Sequence, residues 1–197
     1  MSELKAAAEA ARSEALALLE KGEFSPALAA YDRALEAANA TNDPAFADWM
    51  FVCRAAAAAE LGPADKELVE LKRILLRTRD EQTAFRAAYS TAWVYEQKKD
   101  RAKAMFYARL AQRHAAAIGD VRLVSSCENQ LGDILAADSR FEEAAEAYRS
   151  ALRRTKAEAP LFSIARAQWT DNLGYCLLSL DRVPEGLALV HLSLIHI

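Results

Sequence analysis

The side chains able to do chemistry in this 197-residue chain are few and scattered. Its three histidines are His114, His191 and His196, and the last two fall in an apolar tail. Cys53, Cys127 and Cys176 are odd in number and widely spaced, which fits reduced cytosolic thiols better than a disulfide framework. Each lies in a helical apolar pattern, where a free cysteine acts as a small buried hydrophobe. No CxxC, HExxH, GxSxG or glycine-rich phosphate loop occurs, so neither a metal nor a cofactor is expected. No serine or cysteine has a repeat-placed neighbour to act as its base. Carboxylate pairs such as Glu142-Glu143 open a predicted helix, where the dipole favours negative charge, and His114 lies late in one, where a cation is favoured. The expectation is a binding protein and not an enzyme.

Composition narrows the class of partner. Lys and Arg total 25 against 28 Asp and Glu, a net charge of −3. A dedicated nucleic-acid binder needs a basic excess to displace counterions, so direct nucleic-acid binding is not expected. With 53% hydrophobic and 27% charged residues the chain is too apolar and too balanced for disorder. Alanine and leucine dominate, and only six Gly and five Pro are present, a helix-forming bias. The N-terminal stretch has charges every few residues and no apolar core of a signal peptide. No apolar run approaches the ~20 residues needed to cross a bilayer. A cytoplasmic protein without membrane contact is expected.

The chain repeats itself. Segments from Gly22, Lys99, Ser139 and Asp181 each begin with a polar turn and run into a helix. Small residues recur at one offset: Ala27, Ala104, Ala144 and Gly186. Four residues later come Tyr31, Ala108, Tyr148 and Val190, and three further on Ala34, Ala111, Ala151 and Ser193. Offsets of 4 and 7 place these on one helix face. A segment from Leu61 fills the remaining gap with a stripe at Leu68, Leu71, Leu75 and Leu76, but lacks the small residue. In the preceding helices Gly132 and Gly174 share a slot with Ala15, Cys53 and Ala92. Glycine inside a helix costs about 1 kcal/mol relative to alanine, so close approach of a neighbouring helix is expected there. Pro26, Pro44, Pro63, Pro160 and Pro184 mark helix starts, with Ser25 and Asp43 as candidate caps. Asn42-Asp43, Arg79-Asp80 and Gly119-Asp120 mark turns. Ten helices are predicted, near 3–20, 24–40, 44–60, 64–78, 82–97, 101–118, 121–137, 141–157, 161–179 and 184–196.

The run Leu131, Gly132, Leu135, Phe141, Ala144, Tyr148, Ala151 resembles the tetratricopeptide repeat, and Gly22, Phe24, Ala27, Tyr31, Ala34 match its second half. Steps near 40 residues are similar to the longer repeat of kinesin light chains and bacterial regulators, not the 34-residue kind with a carboxylate clamp. The resemblance implies an all-α, right-handed solenoid of about five stacked helix pairs, units 3–41, 42–79, 80–118, 119–158 and 159–197. A single pair cannot bury its apolar face, whereas stacked pairs share a continuous core. Phe24, Tyr31, Phe141 and Tyr148 are expected to fill gaps beside the small residues, and Trp49 and Trp169 to lie in the core or at junctions.

In such an array the first helix of each pair lines a concave surface. Projecting the repeat phase brings Arg54, Arg86, Tyr89, Trp93, Asn129, Gln130, Asp133, Asp171, Asn172 and Tyr175 onto it. Arg12, Leu16, Met50 and Glu96 share that phase. Amides and guanidinium groups can bond an extended peptide, and aromatic rings can cover its side chains. The same residues also suit a solvated helix face, and Trp93 also suits packing between the second and third units. The expected function is a non-catalytic scaffold binding a protein or peptide, alternatively the sensor segment of a longer bacterial signalling protein or transcription regulator. The last predicted helix is apolar nearly all round. A dimer edge, a further repeat downstream, or adapter read-through in the final SLIHI would each explain that, the last two being preferred.

Overall fold

The computed structural model describes residues 3–62, 65–155 and 163–195. Among them lie ten helices and no strand: α1 (Glu3–Glu20), α2 (Phe24–Asn39), α3 (Pro44–Leu61), α4 (Asp65–Arg77), α5 (Glu81–Gln97), α6 (Arg101–Ile118), α7 (Val121–Ala137), α8 (Phe141–Arg154), α9 (Ser163–Ser179) and α10 (Val183–Ile195). Their bounds lie within three residues of those expected from periodicity. Pro63, Pro160 and the final His196-Ile197 fall outside the described residues. The chain divides into two compact units, one ending at Asp100 and the other beginning at Arg101. Among the described residues no helix is long and apolar enough to cross a membrane.

Three aspartates set where odd-numbered helices begin. Asp43 accepts a hydrogen bond from the Phe46 N–H at 3.1 Å, Asp80 from Thr83 at 2.7 Å and Asp120 from Arg122 at 2.8 Å. Each satisfies a donor that the first helical turn leaves unpaired. Lys5 and the Phe46 N–H hold the Asp43 carboxyl below its ordinary pKa, and Arg122 does the same for Asp120. Ser25, expected to cap, is instead the second residue of α2 and leaves the cap position to Glu23, whose side chain makes no cap bond. A cap must precede the helix with non-helical backbone, which Ser25 does not.

The turns that enter α2, α6, α8 and α10 share one geometry. Gly22, Lys99, Ser139 and Asp181, each two residues before its helix, have φ of 75°, 58°, 59° and 59°. The next N–H reaches back to the carbonyl of Leu18, Tyr95, Leu135 and Leu177 respectively, at 2.9–3.0 Å. This left-handed closure satisfies the last carbonyls of the preceding helix. Glycine adopts it freely, whereas Lys99, Ser139 and Asp181 carry a Cβ against the following carbonyl.

Small residues then set the packing. Ala15, Ala27, Ala34, Ala104, Ala111, Ala144 and Ala151 are fully buried. A Cβ on Gly132 would stand 2.6 Å from the Tyr148 ring. At the α9–α10 crossing, a Cβ on Gly186 would stand 2.9 Å from the Gly174 carbonyl oxygen, backbone against backbone. Tyr31 and Tyr148 are buried as expected, but Phe24 is 38% exposed because it is the first residue of α2, beyond the contact. Trp49 joins the clusters around Ala15, Val52 and Met50, and Trp169 is buried.

Helix α4 departs from the pattern. It lacks the small residue of the other units, and it packs chiefly on α5, only lightly on α3. Its buried residues are Leu71 and Ile74, which meet Val52, Ala55 and Ala87. Leu76, expected on that stripe, is 90% exposed. At 100° per residue it lies about 140° from Leu71, away from the core. On α10, Val183, Leu187 and Leu192 remain exposed.

These contacts fix three outcomes. Ala144→Leu should lose about 1–3 kcal/mol in urea unfolding by overpacking the α7–α8 junction. Gly186→Ala should lose a similar amount despite the gain in helix propensity. Lys99→Gly should instead stabilise the protein by about 1 kcal/mol, read as a higher urea midpoint at unchanged slope.

Candidate functional site

The second unit brings four polar side chains together from three helices. Asn129 and Asp133 stand one turn apart on α7, Tyr148 lies on α8 and Asn172 on α9. Asn129 Nδ2 donates to Asp133 Oδ2 at 2.9 Å, and the Tyr148 hydroxyl donates to Asp133 Oδ1 at 2.7 Å. Asn172 Nδ2 donates to the same Oδ1 at 3.2 Å and to Asn129 Oδ1 at 3.4 Å. One carboxylate thus orients two amides from consecutive repeats. Burial pushes the Asp133 carboxyl above its ordinary pKa, partly offset by the bonds from Tyr148 and Asn129. The remaining valences are chemically useful: Asn172 Oδ1 is an acceptor and Asn129 keeps a second N–H donor.

The other expected residues of this unit sit elsewhere. Gln130 is 1% exposed, inside the unit. Asp171 accepts from Ser193 Oγ at 3.1 Å. Tyr175 is 59% exposed and meets Phe141 edge-on at 6.1 Å between ring centroids. Further ties hold the frame around them. Glu128 accepts from Ser150 Oγ and Arg154 Nε, both at 2.8 Å, joining α7 to α8. Arg166 on α9 donates to the Leu152 and Thr155 carbonyls at the end of α8.

In the first unit the arginines take different roles. Arg54 is bound at both ends, to Asp32 at 2.5 Å and Glu67 at 2.7 Å. Arg77, bidentate on the buried Asp48, clamps α4 to α3. The Arg86 guanidinium lies over the Trp49 ring, 5.6 Å from its centroid, and its buried Nε–H has no acceptor among the described residues. Tyr89 is half-buried and tilted against Phe85. Trp93 packs with Ala58, Ala59, Leu68 and Val94, and its indole N–H points to the Ala59 carbonyl at 3.4 Å.

Sequence reasoning placed Tyr148 as a packing residue and missed its hydroxyl bond to Asp133. The repeat offset located the ring, but nothing in the sequence says where the oxygen ends. The three thiols are free and buried, and burial raises Cys127 to about 12 and Cys176 to about 11. Such thiols stay protonated and unreactive at neutral pH. Among the described residues no group of three histidine, cysteine or carboxylate side chains could hold a metal.

The architecture is that of tetratricopeptide-like helical repeats. BtubC from P. vanneervenii aligns with 98% of this chain and 80% of its own at a TM-score of 0.79 and 19% identity. A chain of nearly identical TPR-like repeats from Podosopora anserina aligns with 100% of this chain and 97% of its own, TM-score 0.70 and 12% identity. PlcR of Bacillus thuringiensis, solved with the peptide PapR7 and DNA, aligns with 96% of this chain and 71% of its own, TM-score 0.72 and 15% identity. No protein-family model and no curated protein matches the sequence.

The raised pKa of Asp133 has a defined sign. Its ionised form is disfavoured in the folded state, so stability falls as pH rises from the unfolded carboxyl value of 3.8 through the higher folded value. Tyr148→Phe removes a bond that favours ionisation. The variant should therefore lose more stability at pH 7 than at pH 4, by about 1–3 kcal/mol, in paired urea titrations. Its Asp133 carboxyl carbon should titrate at higher pH by NMR.

Proposed function

We propose that the chain is a non-catalytic cytoplasmic scaffold that holds an extended peptide or partner segment, with Asn129 and Asn172 bonding its backbone. The carrying observation is the pair of amides on α7 and α9, 3.4 Å apart and oriented by Asp133. Their unspent acceptor and donor match the N–H and C=O that an extended backbone presents. Exposed Tyr175 can cover a side chain beside them. Arg54, Arg86, Tyr89 and Trp93 are the corresponding candidates of the first unit. Trp93 and Arg54 are occupied by packing and ion pairs, so Arg86 is the one with binding capacity to spare.

A second reading, a sensor or regulatory array within a longer bacterial signalling protein or transcription regulator, draws on the likeness to PlcR, whose structure holds a peptide and DNA. Both readings use the same peptide contacts.

Selection of displayed ten-residue peptides on the intact protein tests the site. Peptides enriched on the parent should bind the Asn129→Ala/Asn172→Ala double variant about tenfold more weakly, the worth of one or two neutral hydrogen bonds. Unchanged affinities would remove the two amides from the binding surface.

A further inference from the structure

The outward face of α4 is built around two large apolar side chains. Val69 is 54% exposed and Leu76 90%. They stand seven residues apart, so at 100° per residue they point within about 20° of each other. Their direction is opposite to that of the buried Leu71 and Ile74, which meet Val52, Ala55 and Ala87. A single exposed apolar residue is ordinary. Two on one helix face make a stripe about 10 Å long that is left in water.

The uncompensated charges beside that stripe are of one sign. By helical spacing Lys66 and Arg73 flank it on one side and Lys72 on the other. The carboxylates of α4 are already taken: Asp65 by Lys98 at 2.6 Å, Glu67 by Arg54 at 2.7 Å and Glu70 by Arg77 at 2.8 Å. Lys66 and Lys72 make no ion pair among the described residues. Arg73 reaches Glu70 only at 3.4 Å, with its side chain 67% exposed. An exposed pair of that kind contributes little. Three cations thus border the stripe, in a chain whose net charge is −3.

We propose that this face docks an acidic amphipathic helix of another protein, with leucine-type side chains laid over Val69 and Leu76 and carboxylates set against Lys66, Lys72 and Arg73. A helix lying along α4 offers apolar residues at the same seven-residue interval and carboxylates on either side of them. A second copy of α4 does not fit, because a two-fold contact would set cations against cations. A membrane surface is a poorer match: a helix lying in a lipid interface buries a broad apolar face, and this one is a single residue wide. A nucleic acid would leave the stripe unused, since it holds no aromatic ring to stack a base. The surface shares no residue with the peptide contacts of Asn129 and Asn172 and stands without them.

The Leu76 methyl signals of the intact protein, assigned by their loss in Leu76→Ser, report occupancy in NMR titrations at constant ionic strength. The probe is a capped, alanine-rich helical peptide with leucine at every seventh position and glutamate on either side of it. Its controls carry glutamine for glutamate, or alanine for leucine. Saturable shifts with the probe are expected, with both controls binding about tenfold more weakly. Leu76→Ser should weaken the probe about tenfold, followed on the Val69 methyls. Lys66→Glu/Lys72→Glu/Arg73→Glu should lose the glutamate peptide and take up its lysine counterpart, a reversal that damage to the fold would not give. No saturable shift, equal binding of the glutamate and glutamine peptides, undiminished binding to Leu76→Ser, or a failed reversal would overturn the proposal. So would a stronger response to vesicles containing phosphatidylserine or to oligothymidylate, or a change in the Leu76 signals with protein concentration alone. Asn129→Ala/Asn172→Ala should leave the response intact, so failure at one surface is separable from failure at the other.

Discussion

Where α9 crosses α10, Gly174 and Gly186 bring one backbone against another, and where α7 meets α8 the ring of Tyr148 fills the space a Cβ of Gly132 would need. Interaxial distance in a helical array is set by the side chains at the crossing, and the shortest distances need the smallest residues. Alanine and glycine at these slots allow tyrosines to lie across the junction with their hydroxyls at its edge. Helix α4, which lacks the small residue, shows the converse. That helix stands off α3, takes its main contact from α5, and is held to α3 by Arg77 on Asp48.

The polar chemistry follows from that geometry. Close packing puts α7 and α9 near enough for short side chains such as asparagine and aspartate to bridge them. Asp133 does so in the second unit, receiving hydrogen bonds from three helices' side chains. Burial makes its ionised form expensive and the donors around it bring part of that back. In the first unit the Arg86 guanidinium lies over the Trp49 ring, and its buried Nε–H has no acceptor among the described residues.

Local backbone rules repeat as faithfully as the packing. Aspartate caps open three odd-numbered helices, and a left-handed residue followed by a back-reaching N–H ends the helix before each of four even-numbered ones. Only one of those four left-handed positions is glycine. The turn is held by its hydrogen bonds and by the helices on either side, which tolerate a strained Lys99, Ser139 or Asp181.

The sequence by itself determined the helices, their small-residue slots and the repeat, because these depend on spacing along one chain and on propensities summed over many residues. It also located the pair Asn129 and Asn172 through the repeat phase. It misjudged Ser25, Phe24 and Leu76, each of which lies at or beyond the edge of a pattern where one residue's displacement changes its face. The tertiary structure alone decided which polar groups are spent and which remain open. Arg54 and Arg86 read alike as arginines on one face, yet one is saturated by carboxylates and the other is left with an unmade bond over Trp49. Periodicity fixes the direction of a side chain, whereas hydrogen bonding depends on atoms brought from distant segments to within 3.5 Å, and that distance is set only when the helices pack.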